Sequence, residues 1–248
     1  MESVVPPVAT KEMLYKHGHQ LYLLQQFDSA RIVLQQALTL DANDTDVLAD
    51  LASLHYDLGM APDAGSKKRE LLRQSRDYYV TLEALGVTDS DTYERICEVS
   101  NAVSDNKTLL KYARKNADKF PYDRQFYNLS YAYFSAEDFN NVIKVCKDAV
   151  EKFKSSPFIG SFYRQMGRAY MKVDRDQTAE RTFYAGLKAI DAKTADLRKN
   201  PDSGNSADFS RLKDDKIGIL TSLKLLHTTY KATDKLADVE KKLKELGK

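Results

Sequence analysis

Residues 11–44, KEMLYKHGHQLYLLQQFDSARIVLQQALTLDAND, decide the fold. Apolar and small residues recur in them at the three-and-four spacing of an α-helix, first over Lys11–Leu24 and again over Asp28–Leu40. Asp41-Ala42-Asn43-Asp44 then reads as a turn. Six positions alternate bulky and small: Leu14, Gly18, Leu21, Ala30, Leu34 and Ala37. Two antiparallel helices approach closely only where small residues face each other, and the large residues fill the space to either side. One such hairpin cannot bury its apolar face alone, so the unit must be repeated and stacked.

The same order returns twice. From near Gly160 the slots are filled by Tyr163, Gly167, Tyr170, Ala179, Phe183 and Gly186. From near Asp123 they are Phe126, Ser130, Tyr133, Val142, Cys146 and Ala149. Three copies in phase resemble the tetratricopeptide repeat, a helix–turn–helix unit of about 34 residues. The family's usual proline near the repeat end is Ala42 in the first copy. The resemblance implies an all-α, right-handed solenoid of five to six such repeats with no strands. It would form one superhelical domain over 11–248, after an N-terminal arm, 1–10, expected to be disordered.

Weaker copies complete the array. In 45–89, Leu48, Ala52 and Ala64 fit, and a second helix is expected from Pro62 to Leu85, with Gly86 just past its end. In 90–122, Tyr93, Cys97 and Leu109 fit, and Pro121 stops the helix. In 209–248, Leu223, Tyr230, Leu236, Val239, Leu243 and Leu246 give a terminal pair without small residues, as suits a cap. With 123–159 and 160–199 the repeats number six, starting near 11, 45, 90, 123, 160 and 220. The helix before the last pair is expected to extend to about Lys199; 200–208, containing Pro201 and Gly204, reads as a loop that could take part in binding.

Composition agrees with a helical protein. Apolar residues make up 42% and charged residues 30% of 248, while 10 glycines and 6 prolines are too few for the many tight turns of an all-β fold. The charge is nearly balanced, +2 from 38 basic and 36 acidic residues, which argues against a nucleic-acid binder. Cys97 and Cys146 make neither a disulfide framework nor a structural zinc site, and both read as buried free thiols suited to a reducing, cytoplasmic compartment. Residues 1–10 lack the basic and apolar regions of a signal peptide, and no window is apolar enough to span a membrane.

Chemistry-bearing motifs are missing. No phosphate-binding glycine loop, dinucleotide turn, H-E-x-x-H pair or nucleophile elbow occurs. His17 and His19, two apart, point to different faces and cannot share a metal; His17 occupies a packing slot. The reading is therefore a non-enzyme with no cofactor and no metal site.

In proteins of the resembled family, the first helix of each hairpin lines a concave groove. The residues that the resemblance assigns to it are Tyr15, His19 and Tyr22 in the first copy, and Asp46, Asp50, Tyr56 and Asp57 in the second. The third supplies Glu94 and Glu98, and the fourth Tyr127, Asn128, Tyr131 and Phe134. The fifth supplies Ser161, Arg164, Gln165, Arg168 and Lys172, while Lys224 and Lys231 are assigned from the sixth. Such a groove would be acidic through its second and third repeats and basic through its fifth and sixth, with aromatic anchors in the first and fourth. It would take an extended or helical peptide whose basic part faces Asp46, Asp50, Asp57 and Glu98 and whose acidic part faces Arg164, Arg168 and Lys172.

Family members that clamp the C-terminal carboxylate of heat-shock proteins place Lys and Asn on the first groove helix; here Tyr15 and His19, Glu94 and Glu98, or Tyr127 and Tyr131 stand there, so that function is not expected. An RNA-binding helical-hairpin array would need sustained basic charge, which Asp46, Asp50, Glu94 and Glu98 contradict. The reading is a protein-interaction adaptor or scaffold. The alternative is a fixed structural subunit, held by its terminal repeats, its convex face or self-association, in which the apolar stretch Val4–Val8 could take part.

Overall fold

The structure, a computed structural model, describes residues 9–200 and 204–248. Residues 1–8 of the expected arm, with the Val4–Val8 stretch, and Pro201 fall outside that range. The described residues contain twelve α-helices, one short 310 turn and no strand. They are α1 Lys11–Leu23, α2 Phe27–Leu40, α3 Thr45–Met60, the 310 turn Gly65–Lys67, α4 Lys68–Ala84, α5 Ser90–Ala102, α6 Asn106–Lys119, α7 Asp123–Ser135, α8 Phe139–Lys152, α9 Ile159–Lys172, α10 Asp176–Lys199, α11 Ser206–Thr229 and α12 Thr233–Glu245. The chain divides into two compact units, Met1–Asn116 and Ala117–Lys248, with the division inside α6. In the first unit α1 packs on α2, α3 on α4 and α4 on α5; in the second α7 packs on α8 and α9, α9 on α10 and α11, and α11 on α12. This is the all-α solenoid architecture that the repeat implies.

One turn design recurs. Gln25, Ser104, Glu137, Asp174 and Lys231 all take positive φ, between 52° and 61°, at the turns α1–α2, α5–α6, α7–α8, α9–α10 and α11–α12. In each, the next residue's N–H reaches back five positions: Gln26 to Leu21 O, Asp105 to Ser100 O, Asp138 to Tyr133 O, Arg175 to Tyr170 O and Ala232 to His227 O. This left-handed cap closes the last turn of the first helix and aims the chain into the second.

Close approach of paired helices sits at the small slots. A carbon added at Gly18 would lie 2.7 Å from Leu34 Cγ, and one at Gly167 only 2.3 Å from Phe183 Cε1. Ala30, Leu34, Ala37, Val142, Cys146, Ala179 and Phe183 are fully buried. Cys97 and Cys146 are buried free thiols, and burial pushes each up to about 12.

Four expectations need correction. The second helix of the second hairpin begins at Lys68, not Pro62, because Gly65 at φ +53° and the 310 turn interrupt the run. Its packing residues are consequently not Ala64 but Leu72 and Ser75: Leu72 lies against Gly59, and Ser75 Oγ donates to Ala52 O at 2.7 Å. His17 is exposed rather than packed. Finally, the end of the 200–208 segment is already helical, since Asn205 caps α11 and receives the N–H of Asp208 while Asp208 accepts from Asn205 N.

Candidate partner-binding faces

In the first unit the first helices α1, α3 and α5 carry the assigned residues. His19 Nδ1 meets Asp50 Oδ2 at 2.7 Å, and Tyr22 OH donates to Asp57 Oδ2 at 2.7 Å. The Tyr15 ring lies 5.7 Å from the His19 ring. Arg95 stacks on Tyr56 at 5.2 Å and bonds Glu98 at 2.9 Å. α1 and α3 thus do bring their assigned residues together, but the contacts satisfy the acids internally. Of the four carboxylates expected to meet a basic peptide, Asp50, Asp57 and Glu98 already hold partners. Asp46 is exposed and has no cationic partner among the described residues. Burial raises the Asp50 carboxyl above its usual range despite His19. Burial and then the Asp57 bond raise the Tyr22 phenol, so it stays a donor. Tyr79 of α4, not foreseen as part of this face, bonds Ser53 across it.

In the second unit α7, α9 and α11 form the corresponding face. Tyr127 lies 5.3 Å from Phe158 and Phe134 5.3 Å from Phe139, ring to ring. The Arg168 guanidinium covers Phe134 at 4.5 Å, a cation–π contact. Tyr131 is 39% exposed. Arg168 has no acidic partner among the described residues; burial, then the neighbouring Arg164 charge, lower its pKa, while Tyr127 and Tyr131 oppose that. Asn128 is half-buried and Lys172 exposed.

Arg164 is engaged differently. Its Nη1 lies 3.2 Å from Oδ1 of Asp215, a residue of α11 only 2% exposed, whose Oδ2 accepts from Ser161 Oγ. Gly218 admits the Arg164 stem, because a Cβ there would lie 2.7 Å from Arg164 Cδ. Ser161 and Gln165 are buried rather than presented on the face. Of the cations assigned from the last repeat, Lys224 instead pairs with Glu240 of α12 at 2.8 Å and Lys231 is the left-handed turn residue. Arg211, which the sequence did not single out, takes their place, covering Phe158 at 3.9 Å. The signal for it was the capped start of α11 at Ser206, which sets the register of the whole helix.

Among the described residues no group of three His, Cys, Asp or Glu side chains is arranged to hold a metal ion, and no helix is long and apolar enough to cross a membrane.

No family model and no curated protein matches the chain. Solved structures do. One described as "Crystal structure of MamA protein" is similar with TM-score 0.58 and 17% identity, over 75% of this chain and 94% of that one. Another, MamA residues 41 to the end from Desulfovibrio magneticus RS-1, has TM-score 0.54 and 16% identity, over 75% and 99%. A third, YrrB, described as a TPR protein with an unusual peptide-binding site, has TM-score 0.56 and 10% identity, over 76% and 91%. At these identities the likeness establishes the tetratricopeptide-type helical fold.

Proposed function

We propose that this chain, which has the fold of a tetratricopeptide-repeat protein, is a non-catalytic interaction scaffold that holds a segment of a partner protein against its first-helix faces. The observation carrying the reading is the α7–α9 face, where Tyr127, exposed Tyr131 and Phe134 stand beside Arg168, a cation with no acidic partner among the described residues. Aromatic and arginine side chains grouped on one surface are the usual anchors of protein–protein contacts. An extended or helical peptide with an acidic residue suits this face. On the first unit, exposed Asp46 offers the freest negative charge, close enough to Tyr15 and to Asp50 for its charge to act on both. YrrB, described as having a peptide-binding site, is a fold-level precedent. A reducing compartment such as the cytoplasm suits the two buried thiols.

The test is affinity capture from the native host's lysate, comparing the intact chain with Tyr127→Ala/Tyr131→Ala/Arg168→Glu once circular dichroism has shown both to be helical. A protein recovered only by the intact chain supports the reading, and equal recovery by both refutes it.

A fixed-subunit reading has one observation of its own. On the first hairpin Met13, Ile32 and Leu40 are 55%, 54% and 57% exposed, an apolar surface suited to end-to-end stacking or self-association. Sedimentation at micromolar concentration separates the two: a monomer favours the adaptor, an assembly the fixed subunit.

A further inference from the structure

The second unit carries another surface, away from the face just described. Tyr184, Leu187, Asp191, Ala195 and Arg198 recur at spacings of three and four along α10, so they form one stripe down its last four turns. On α11 Phe209, Leu212, Lys216 and Leu220 form a second stripe at the same spacings. The two stripes bound two adjoining cavities of about 470 and 440 Å³, which share Asp191, Lys216 and Leu246 and therefore form one channel. The reason for its opening is length. α10 has 24 residues and α12 has 13, about 36 Å against 20 Å at 1.5 Å per residue. Helix α12 starts beside the beginning of α10, where Lys235 pairs with Glu180 at 2.7 Å, so it ends before covering the last turns.

The channel's charge is one-sided. Lys188, Arg198, Lys213, Lys216 and Lys242 line it against only Asp191 and Glu245. Lys216 is held by Asp191 at 2.6 Å and Lys242 by Asp238 at 2.6 Å. Lys188, Arg198 and Lys213 have no acidic partner among the described residues. Beneath these cations Leu212 and Leu220 are buried, while Phe209 and Leu246 remain part-exposed.

We propose that this α10–α11 channel is a second docking surface, and that its occupant is an acidic amphipathic α-helix of a partner protein. The stripe from Tyr184 to Arg198 is about 21 Å long, the length of a helix of about 14 residues. Such a helix sets its apolar ridge against Phe209 and Leu246 and its acidic flanks against Lys188, Arg198 and Lys213. Lys216 and Asp191 bridge the channel at its middle as an exposed pair, which an incoming carboxylate opens at small cost by replacing Asp191. The apolar floor favours a protein helix over a polyanion, whose phosphates would use the cations alone.

The probe is a fluorescein-labelled peptide of about 14 residues with leucines at helical i, i+4, i+7 and i+11 positions and glutamates on the flanks. A matched peptide with lysines for the glutamates is the control, and both are titrated with the full chain by fluorescence anisotropy. The glutamate peptide is expected to bind, the lysine peptide not. Arg198→Glu/Lys213→Glu, at solvent-exposed positions that leave the core intact, should weaken binding by about tenfold or more. Leu246→Asp should weaken it too, whereas Tyr131→Ala/Arg168→Glu should leave it unchanged. No binding of the glutamate peptide, equal binding of the two peptides, loss through the Arg168 variant instead, or tighter binding of a single-stranded oligonucleotide would each overturn the proposal.

Discussion

Replacing Gly167 by alanine tests the packing logic of the repeat with a prediction whose sign is opposite to the simple expectation. In a helix interior, glycine to alanine stabilises by about 1 kcal/mol, since alanine loses less backbone entropy. At Gly167 the added carbon would lie 2.3, 2.6 and 2.7 Å from Cε1, Cδ1 and Cζ of Phe183. Comfortable carbon contacts begin near ~3.5 Å, so the ring must retreat by about 1 Å. Phe183 is fully buried, with no solvent side to move toward. Overpacking of this kind costs about 3 kcal/mol at the upper end of its range. The net is a destabilisation of about 2 kcal/mol, which at a urea slope of about 2 kcal/mol/M lowers the midpoint by about 1 M. Urea titration followed by circular dichroism reads it, and Phe183→Leu in the same chain should recover part of the loss. A midpoint that rises for Gly167→Ala would show that α9 and α10 are not held at this distance.

Other outcomes follow from the same contacts. Glu137→Gly, at φ 58° in the α7–α8 turn, should stabilise by about 0.5–1 kcal/mol by removing the left-handed strain of a side-chain residue; a lower melting temperature would contradict the turn geometry. Asp215→Ala should destabilise the second unit by about 2–3 kcal/mol in urea, because Arg164 loses its buried partner, and Asp215→Leu with Arg164→Met should recover most of it. The Lys115 ammonium bonded to Glu83, at 2.5 Å, holds the Glu83 carboxyl below its ordinary range. Folded Glu83 is therefore the stronger acid, so its stabilisation is complete above about pH 4.3, the ordinary glutamate value, and is lost as the pH falls through the lowered one. The stability difference between the intact chain and Glu83→Gln should shrink from pH 6 to pH 3, and a constant difference would refute the pairing.

The hairpins most legible in the sequence were those whose close approach is made by the expected small residue. Gly18 against Leu34 and Gly167 against Phe183 are such contacts. The second hairpin hid its register because its approach moved to Gly59 and Leu72 and its second helix starts late, so Pro62 and Ala64 mimicked a helix start and a packing slot. α11 was placed too late because the breakers before it masked the Asn205–Asp208 capping box, a pattern visible in the residues themselves. The family resemblance set His19 and Tyr22 on one face of α1 and Asp50 and Asp57 on one face of α3. It could not show that these faces are close enough to bond, and so it counted as open carboxylates what the fold already hydrogen-bonds. The same limit hid Asp215, which converts Arg164 from a surface cation into half of a structural ion pair. Arg168, by contrast, has no acidic partner among the described residues, and Tyr131 is 39% exposed.

The most direct test of the account installs the photoreactive residue benzoylphenylalanine at Tyr131 on the α7 face, and separately at exposed Lys147 on α8, and irradiates each chain in the native host's lysate. The account predicts a discrete crosslinked protein from position 131 that is absent from position 147 and disappears when Arg168→Glu is added. Adducts from position 147 alone, or an adduct at 131 indifferent to Arg168, would contradict it.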